Sequence, residues 1–340
     1  MPRSDAILPA GDIPRTSPTG NRHRVGLLLI ADFSLLSFAA VIEPLRAANR
    51  LIGNDYYDWC HVSPDGAAVT SSSGVAIAAD HRLGDQLALD TLFVFAGGNP
   101  AVFNHEPTFS CLRALARRGV RIGGVSGGPY VLARAGLLDG YRCTIHWEHL
   151  PAFREEFPRL DPSRVLYEID RDRMTCAGGI AALDLMRAQI AEDLGPAAAV
   201  AVSEWFLQTQ LRAGNGPQRL TLRERYGTAS PRLLAVLKLM ESRLDEPASR
   251  AEMAEIAKVS IRQLERLFAV HLGTTIADHY TNIRLDRARA LVHETAMPVL
   301  QVAVACGFVS ASHFSRAYKH RFGLSPRNER MTERQRRQSG

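Results

Sequence analysis

Ala254-Glu255-Ile256-Ala257-Lys258-Val259-Ser260-Ile261-Arg262-Gln263-Leu264-Glu265-Arg266-Leu267-Phe268 is one half of a repeat in this 340-residue chain. The other half is Ala303-Val304-Ala305-Cys306-Gly307-Phe308-Val309-Ser310-Ala311-Ser312-His313-Phe314-Ser315-Arg316-Ala317-Tyr318, with one extra residue in the turn. Each copy reads as an Ala-centred apolar helix, a short turn, a Ser, and a helix that is apolar four and eight residues after that Ser. Leu264 thus pairs with Phe314, Phe268 with Tyr318 and Arg266 with Arg316. Two helix-turn-helix units in one chain predict a module that reads two stretches of DNA.

Between the units, Ile276 to Glu294 is amphipathic, with Ile276, Tyr280, Ile283, Ala288 and Leu291 on roughly one face. A helix of that length spans about 28 Å, close to the ~34 Å between successive major-groove segments on one side of a duplex. A rigid connector of this size lets one polypeptide place two recognition helices in adjacent grooves. Charge agrees: from Thr228 onward there are 18 Lys and Arg against 11 Asp and Glu, in a chain whose formal net charge is +6. The polyanion partner is therefore expected to bind the C-terminal part alone.

Upstream, the pattern changes to short apolar runs alternating with helical ones, the signature of a layered α/β domain with a mostly parallel sheet. Strands are predicted at Val25 to Ala31, Tyr57 to Val62, Thr91 to Ala96, Val120 to Val125 and Val165 to Ile169. Helices are predicted at Leu35 to Ile52, Pro107 to Arg118, Pro129 to Ala135, Ile180 to Leu194 and Pro196 to Leu211. Runs such as Leu27-Leu28-Leu29-Ile30 are apolar on both faces, as strands between helix layers must be. The five cysteines show neither disulfide nor metal-ligand spacing, which fits a reduced cytoplasm. No apolar stretch approaches a membrane span. The expected division is a disordered tail over 1–21, an effector-binding domain over 22–211, a linker over 212–227 around Ala213-Gly214-Asn215-Gly216-Pro217, a DNA-binding domain over 228–330 and a basic tail over 331–340.

One segment of the α/β part is chemically suggestive. Gly124-Val125-Ser126-Gly127-Gly128 satisfies the G-x-S-x-G elbow, whose small residues let a strand turn sharply into a helix and hold a nucleophile at the sheet edge. Gly97-Gly98-Asn99 ends the third strand, and Thr144-Ile145-His146-Trp147-Glu148 follows the elbow. The order argues against an α/β-hydrolase, whose His comes late in the chain. An unactivated Ser hydroxyl is a poor nucleophile at neutral pH. What these residues predict is a ligand pocket at the carboxyl edge of the sheet.

Both parts resemble known families. Residues Thr228 to Arg330, closing with Phe322-Gly323-Leu324-Ser325-Pro326 and Arg330, resemble the AraC/XylS-type DNA-binding domain, although Glu329 stands where an aromatic residue is usual. Carried over by position, the resemblance implies that Arg262, Glu265 and Arg266 of the first unit, and Ala311, Ser312, Ser315 and Arg316 of the second, face bases or phosphates. Ser260 and Ser310, which open those helices, are placed with them. The α/β part resembles the flavodoxin-like PfpI, class I glutamine amidotransferase-like superfamily, whose elbow residue is normally Cys and whose first helix carries a carboxylate. Here the elbow holds Ser126 and the helix reads Leu35-Leu36-Ser37-Phe38. From Arg24 to Arg330 the pairing of domains resembles the GlxA-like regulators, through Glu43-Pro44-Leu45-Arg46-Ala47-Ala48-Asn49, His146-Trp147 and Ala177-Gly178-Gly179-Ile180-Ala181-Ala182-Leu183-Asp184.

That resemblance implies a transcription regulator, most simply an activator that acts on RNA polymerase at promoter DNA, dimeric through its N-terminal domain and needing neither cofactor nor metal. It implies as effector a small nitrogen-containing metabolite such as arginine or a quaternary amine. Candidate ligand contacts are Ser126, Gly127, Gly98, Asn99, Glu43, His146 and Trp147: Glu43 to balance a cation, Trp147 to stack on it, and backbone N–H groups near Ser126 to hold a carboxylate. The competing expectation is a bifunctional protein with amidase or hydratase activity at Ser126.

Overall fold

The computed structural model describes residues 22–338, so the tail expected over 1–21 lies outside the described residues. They divide into two compact units, one of residues up to Leu150 together with Phe157–Gln218, the other of Pro151–Glu156 together with Arg219 onward.

The first unit alternates strand and helix: β1 (His23–Leu29), α1 (Leu35–Ile52), β2 (Tyr57–Ser63), three two-residue strands β3 (Val69–Thr70), β4 (Ala76–Ile77) and β5 (His81–Arg82), β6 (Thr91–Ala96), α2 (Glu106–Arg117), β7 (Arg121–Ser126) and α3 (Gly128–Arg134). After α4 (Leu150–Glu156), whose residues from Pro151 belong to the second unit, come β8 (Tyr167–Asp170), β9 (Arg173–Cys176), α5 (Ala181–Leu194) and α6 (Pro196–Trp205). Seven strands form one sheet in the order β5-β2-β1-β6-β7-β9-β8, parallel except for β8. Its five longest parallel-paired strands follow the flavodoxin-like order, with the switch point between β1 and β6. Leu27, Leu29, Phe93, Phe95, Val125 and Met174 bury one face against α1, α5 and α6. Helices α2 and α3 pack on β7, and α3 also on β6.

The fifth strand differs from the expectation. Val165 to Ile169 falls on β8, an antiparallel edge strand; the parallel partner of β7 is β9. Between them, Asp170-Arg171-Asp172 makes a tight turn with Arg171 at φ 56°. A four-residue strand opening on Arg173 has no apolar run to reveal it.

The segment read as a linker is held to the first unit as far as Gln218. Arg212 Nε donates to the buried Asp184 carboxylate at 3.0 Å, and Leu166 N–H reaches the carbonyls of Gly214 and Gly216. Gln218 Nε2 donates to Thr144 Oγ1, Ile145 O and Val165 O at 2.8–3.0 Å. A five-residue helix, α7 (Leu222–Tyr226), then opens the second unit with a Thr221–Glu224 capping box.

The second unit is helical among the described residues from Arg219: α8 (Pro231–Ser242), α9 (Arg250–Ala257), α10 (Ile261–Leu272), α11 (Ile276–Glu294), α12 (Val299–Ala305), α13 (Ala311–Phe322) and α14 (Pro326–Gln338). The stretch expected as a basic tail continues α14 to Gln338. Leu264 and Phe268 are buried in one core with Leu233, Val236 and Met253. Phe314 and Tyr318 occupy a second core with Val302, Ala303 and Phe308. Full burial of such a side chain stabilises by about 1.5–3 kcal/mol, so the positions that define the repeat are those that hold each unit together. The connector α11 serves both cores, through Ile276 and Tyr280 at one end and Leu285, Ala288, Leu291 and Val292 at the other.

Candidate functional site

The carboxyl edge of the parallel sheet is built around Ser126. The chain leaves β7 there at φ 61°, a left-handed conformation that costs a non-glycine residue about 1–2 kcal/mol. A side chain at Gly128 would collide with the Val94 carbonyl oxygen, which is why helix α3 can start so close under β6. Ser126 itself is 8% exposed. Over it closes the loop 177–180: a Cβ on Gly178, itself at φ 84°, would stand 2.7 Å from Ser126 Cβ and 2.8 Å from Ser37 Oγ. Ser37, buried near the start of α1, accepts a hydrogen bond from Gly179 N–H at 2.7 Å. Three chain segments distant in sequence thus meet at Ser126, and two contribute hydroxyls.

No base is placed on that hydroxyl among the described residues. His146 is tied to the elbow by its backbone, whose N–H donates to Ser126 O at 3.3 Å, while ring Nδ1 accepts from Glu148 N–H at 3.4 Å. Burial, reinforced by the neighbouring His149, pushes the His146 imidazole down to about 4, so the ring is neutral near pH 7. Trp147 stands beside it with ring centroids 5.4 Å apart, and is 42% exposed.

The remaining expected ligand contacts divide. Gly98, at φ 54°, lies directly under the side chain of Asp32. Asn99 is buried, and its Oδ1 accepts from Ala101 N–H at 3.0 Å to cap a short 3₁₀ turn at Pro100–Val102. Two of the expected contacts already have partners within the fold. Gly127 N–H donates to Ala96 O at 2.9 Å, so it is not free to hold a carboxylate. Glu43 lies six residues along α1 from Ser37, about 9 Å further along the axis and on another face, where its carboxylate takes Arg46 at 2.5 Å as an intrahelical ion pair. Sequence reasoning passed over Ser37, Asp32 and Gly178-Gly179 as parts of one site. Only the αL-prone Asp immediately after the first strand offered a local signal.

In the second unit, α10 and α13 each begin at the repeat's Ser. Ser260 Oγ accepts from Gln263 N–H in a capping box, and Ser310 Oγ accepts from His313 N–H. Both serines therefore act first on the helix ends, with about 1 kcal/mol at stake in each. Arg262, Glu265 and Arg266 are exposed on α10, and Ala311, Ser312 and Arg316 on α13; Ser315 is half-buried. Glu265 also pairs with Arg250 at 3.4 Å. Arg330 is structural: it donates to Val292 O and Met297 O. Glu329 is buried, 6% exposed, and takes Arg289 Nε at 2.8 Å and His293 Nε2 at 2.7 Å. An ionic cluster therefore fills the place where an aromatic residue is usual.

Two helix-turn-helix units on one connector, joined to an α/β domain with a strained but base-free elbow, define a DNA-binding regulator built on an enzyme-like fold. Residues 253–332 match a helix-turn-helix domain family, and residues 23–192, half of the chain, match the DJ-1/PfpI family. The chain is 44% identical over 312 residues to the HTH-type transcriptional regulator GlxA of Rhizobium meliloti, covering 92% of this chain and 96% of that one. It is 45% identical to the HTH-type transcriptional regulator CdhR of Pseudomonas aeruginosa (89% and 90% covered), and 38% identical to ArgR of the same organism (92% and 94%). Among solved structures, a THiJ/PfpI family protein from Pseudomonas syringae superposes with a TM-score of 0.52 at 21% identity, over 76% of this chain and 95% of that one, a likeness of fold. The chain belongs to the GlxA-like family of transcriptional regulators, in which a DJ-1/PfpI domain is joined to an AraC-type helix-turn-helix domain.

Proposed function

We propose that the DJ-1/PfpI unit is a sensor without catalytic activity, that it binds a small nitrogen-containing metabolite such as an amino acid or quaternary amine, and that its occupancy controls DNA binding by α10 and α13. The observation that carries this reading is the elbow. Ser126 keeps the strained conformation and buried setting of a nucleophile, yet no acid or base is hydrogen-bonded to its hydroxyl among the described residues, and Ser37 and the Gly178-Gly179 loop close around the elbow. Shape is retained and chemistry is not, which is what a binding site requires.

Arg262, Glu265, Arg266, Ala311, Ser312, Ser315 and Arg316 are the proposed DNA-facing residues, and the protein acts as an activator in contact with RNA polymerase in the cytoplasm. Val200, Trp205 and Leu207, exposed on and just after α6, support a homodimer through this unit. The test is a thermal-shift and calorimetric screen of amino acids, guanidines and quaternary amines on the full chain, repeated on Ser126→Ala. A ligand that raises the melting temperature, persists unconsumed and loses affinity in Ser126→Ala supports the sensor. The strain at Ser126 favours one alternative, hydrolysis or hydration at that hydroxyl. Turnover of a bound compound that Ser126→Ala abolishes establishes that alternative instead.

A further inference from the structure

The turn after β1 places an acidic residue at the switch point of the sheet, beside the elbow. Asp32 is held at φ 63°, with its N–H on Thr70 O at 3.0 Å. The strand end opposite it is Gly97-Gly98 because nothing larger fits. A Cβ on Gly98 would lie 2.9 Å from Asp32 Cβ and 3.2 Å from Oδ2. The carboxylate therefore lies over bare backbone at the mouth of the site. Strands β1, β6 and β7 are neighbours, so Asp32, which follows β1 and lies over the end of β6, shares the carboxyl edge of the sheet with Ser126 at the end of β7.

The other acids around this sheet have partners. Asp80 takes His61, Asp90 takes Arg24 N–H, Asp170 takes Arg171, Asp172 takes Tyr141 and Arg173, and Asp184 takes Arg212 and Gln208. Asp32 has neither an ion pair nor a side-chain hydrogen bond among the described residues. An exposed Asp in a left-handed turn can serve the turn alone, and the charges around it decide otherwise. The five segments that make this edge, residues 30–37, 96–100, 126–129, 145–149 and 177–181, contain no Lys or Arg; their carboxylates are Asp32 and Glu148. His146 adds no positive charge near neutral pH. The side chains of these segments thus carry a net negative formal charge, and the Asp32 carboxylate has no ion pair among the described residues.

We propose that Asp32 is the anchor for the positive charge of the effector, a guanidinium or ammonium group, in a ligand long enough to reach the Ser126 hydroxyl at its other end. This rests on the sensor reading of the unit and assigns a charge to its ligand. A charge-assisted hydrogen bond of this kind contributes a factor of roughly 10–100 in affinity.

The experiment is isothermal titration of the full chain with L-arginine and L-lysine, alongside the uncharged isostere L-citrulline and dicarboxylates. It is repeated on Asp32→Asn and Asp32→Gly. Asn and Gly both accept the left-handed turn, so the charge is removed and the backbone kept; either variant that melts with the wild type is read. Wild-type binding of a cationic compound, with little binding of its neutral isostere and at least a tenfold loss in the variant, is the expected result. Equal affinity in wild type and variant overturns the role of Asp32. Binding of only neutral or anionic compounds overturns the cationic assignment and leaves the sensor standing. No binding or thermal shift with any small molecule overturns both.

Discussion

Glu329→Gln tests how the second helix-turn-helix unit is closed. The native carboxylate lies on α14 and takes Arg289 and His293 from the last turns of α11, tying the end of the chain to the connector. Gln keeps the shape and removes the charge. Deleting one partner of a fully buried ion pair costs about 3–5 kcal/mol, but Arg289 is half exposed and retains some hydration. Charged hydrogen bonds of this kind contribute about 1.5–3 kcal/mol, so we expect about 2 kcal/mol. For a unit of this size that is a fall of roughly 10 °C in its melting temperature. The three tryptophans, Trp59, Trp147 and Trp205, all lie in the first unit, so their fluorescence reports that unit while far-UV circular dichroism is weighted to the helical one. The variant should lower the dichroism transition and leave the fluorescence transition in place.

The pH dependence has a definite sign. Burial alone would raise the Glu329 carboxyl, but its hydrogen bonds to His293 and Arg289 bring it below the ordinary carboxylate range. A folded pKa below the unfolded value of about 4.3 gives stability that is complete above that pH and is lost as pH falls through the folded value. The gap between wild type and Glu329→Gln should therefore be widest near neutrality and close in acid. Equal transitions for the two proteins at pH 7, or a gap that widens on acidification, would refute this account of the cluster.

Three further outcomes follow from the geometry. Arg266→Ala and Arg316→Ala should each weaken promoter binding in gel-shift titrations by about 1–3 kcal/mol if they read bases; a uniform loss with a shallower salt dependence identifies phosphate contacts, and unchanged affinity removes both from the interface. Ser310→Asp keeps an N-cap of equal quality and adds a negative charge at the start of α13, so stability should hold within about 0.5 kcal/mol while DNA affinity drops at least tenfold at low salt; retained affinity would place that helix end away from the phosphates. Ser126→Gly relieves the left-handed strain and should raise the fluorescence-monitored transition of the first unit by about 1 kcal/mol while effector binding weakens; a less stable variant would show that the hydroxyl contributes more to the fold than its conformation costs.

What the sequence revealed and what it concealed divide along sequence distance. The repeat was legible because Leu264, Phe268, Phe314 and Tyr318 each belong to a local helical period, and all four are fully buried. Strands β1, β6 and β7 were legible because both faces are apolar. Strand β9 was not, since four residues beginning with Arg173 carry no such run. The site was half legible for the same reason. The elbow is a local pattern, whereas the approach of Gly178 to Ser126, the bond from Gly179 to Ser37 and the seat of Asp32 over Gly98 depend on which strands become neighbours. Glu43 and Gly127 depend on the fold in a related way: each is suitable in type, and each already has a partner, in Arg46 and Ala96 O.

The one irregularity of the repeat explains how its two halves become a single reader. In the second copy Phe308 enters the core, as Val259 does in the first, and the extra residue, Val309, is fully exposed at the start of the recognition helix. Before it stands Gly307 at φ 69°, where a Cβ would lie 2.7 Å from the carbonyl oxygens of Leu244 and Asp245 in the α8–α9 loop. The second turn is thus pressed against the α8–α9 loop of the first helix-turn-helix copy, closer than any side chain would allow. Connector α11 grips both sides of that contact within one helical turn. Tyr280 donates to Arg243 O and accepts from Ala248 N–H on the side of the first copy, and four residues on Arg284 donates to Cys306 O and Gly307 O on the side of the second. Two recognition helices fixed by a shared helix and a glycine contact cannot vary their spacing independently. A monomer therefore presents one set distance to DNA.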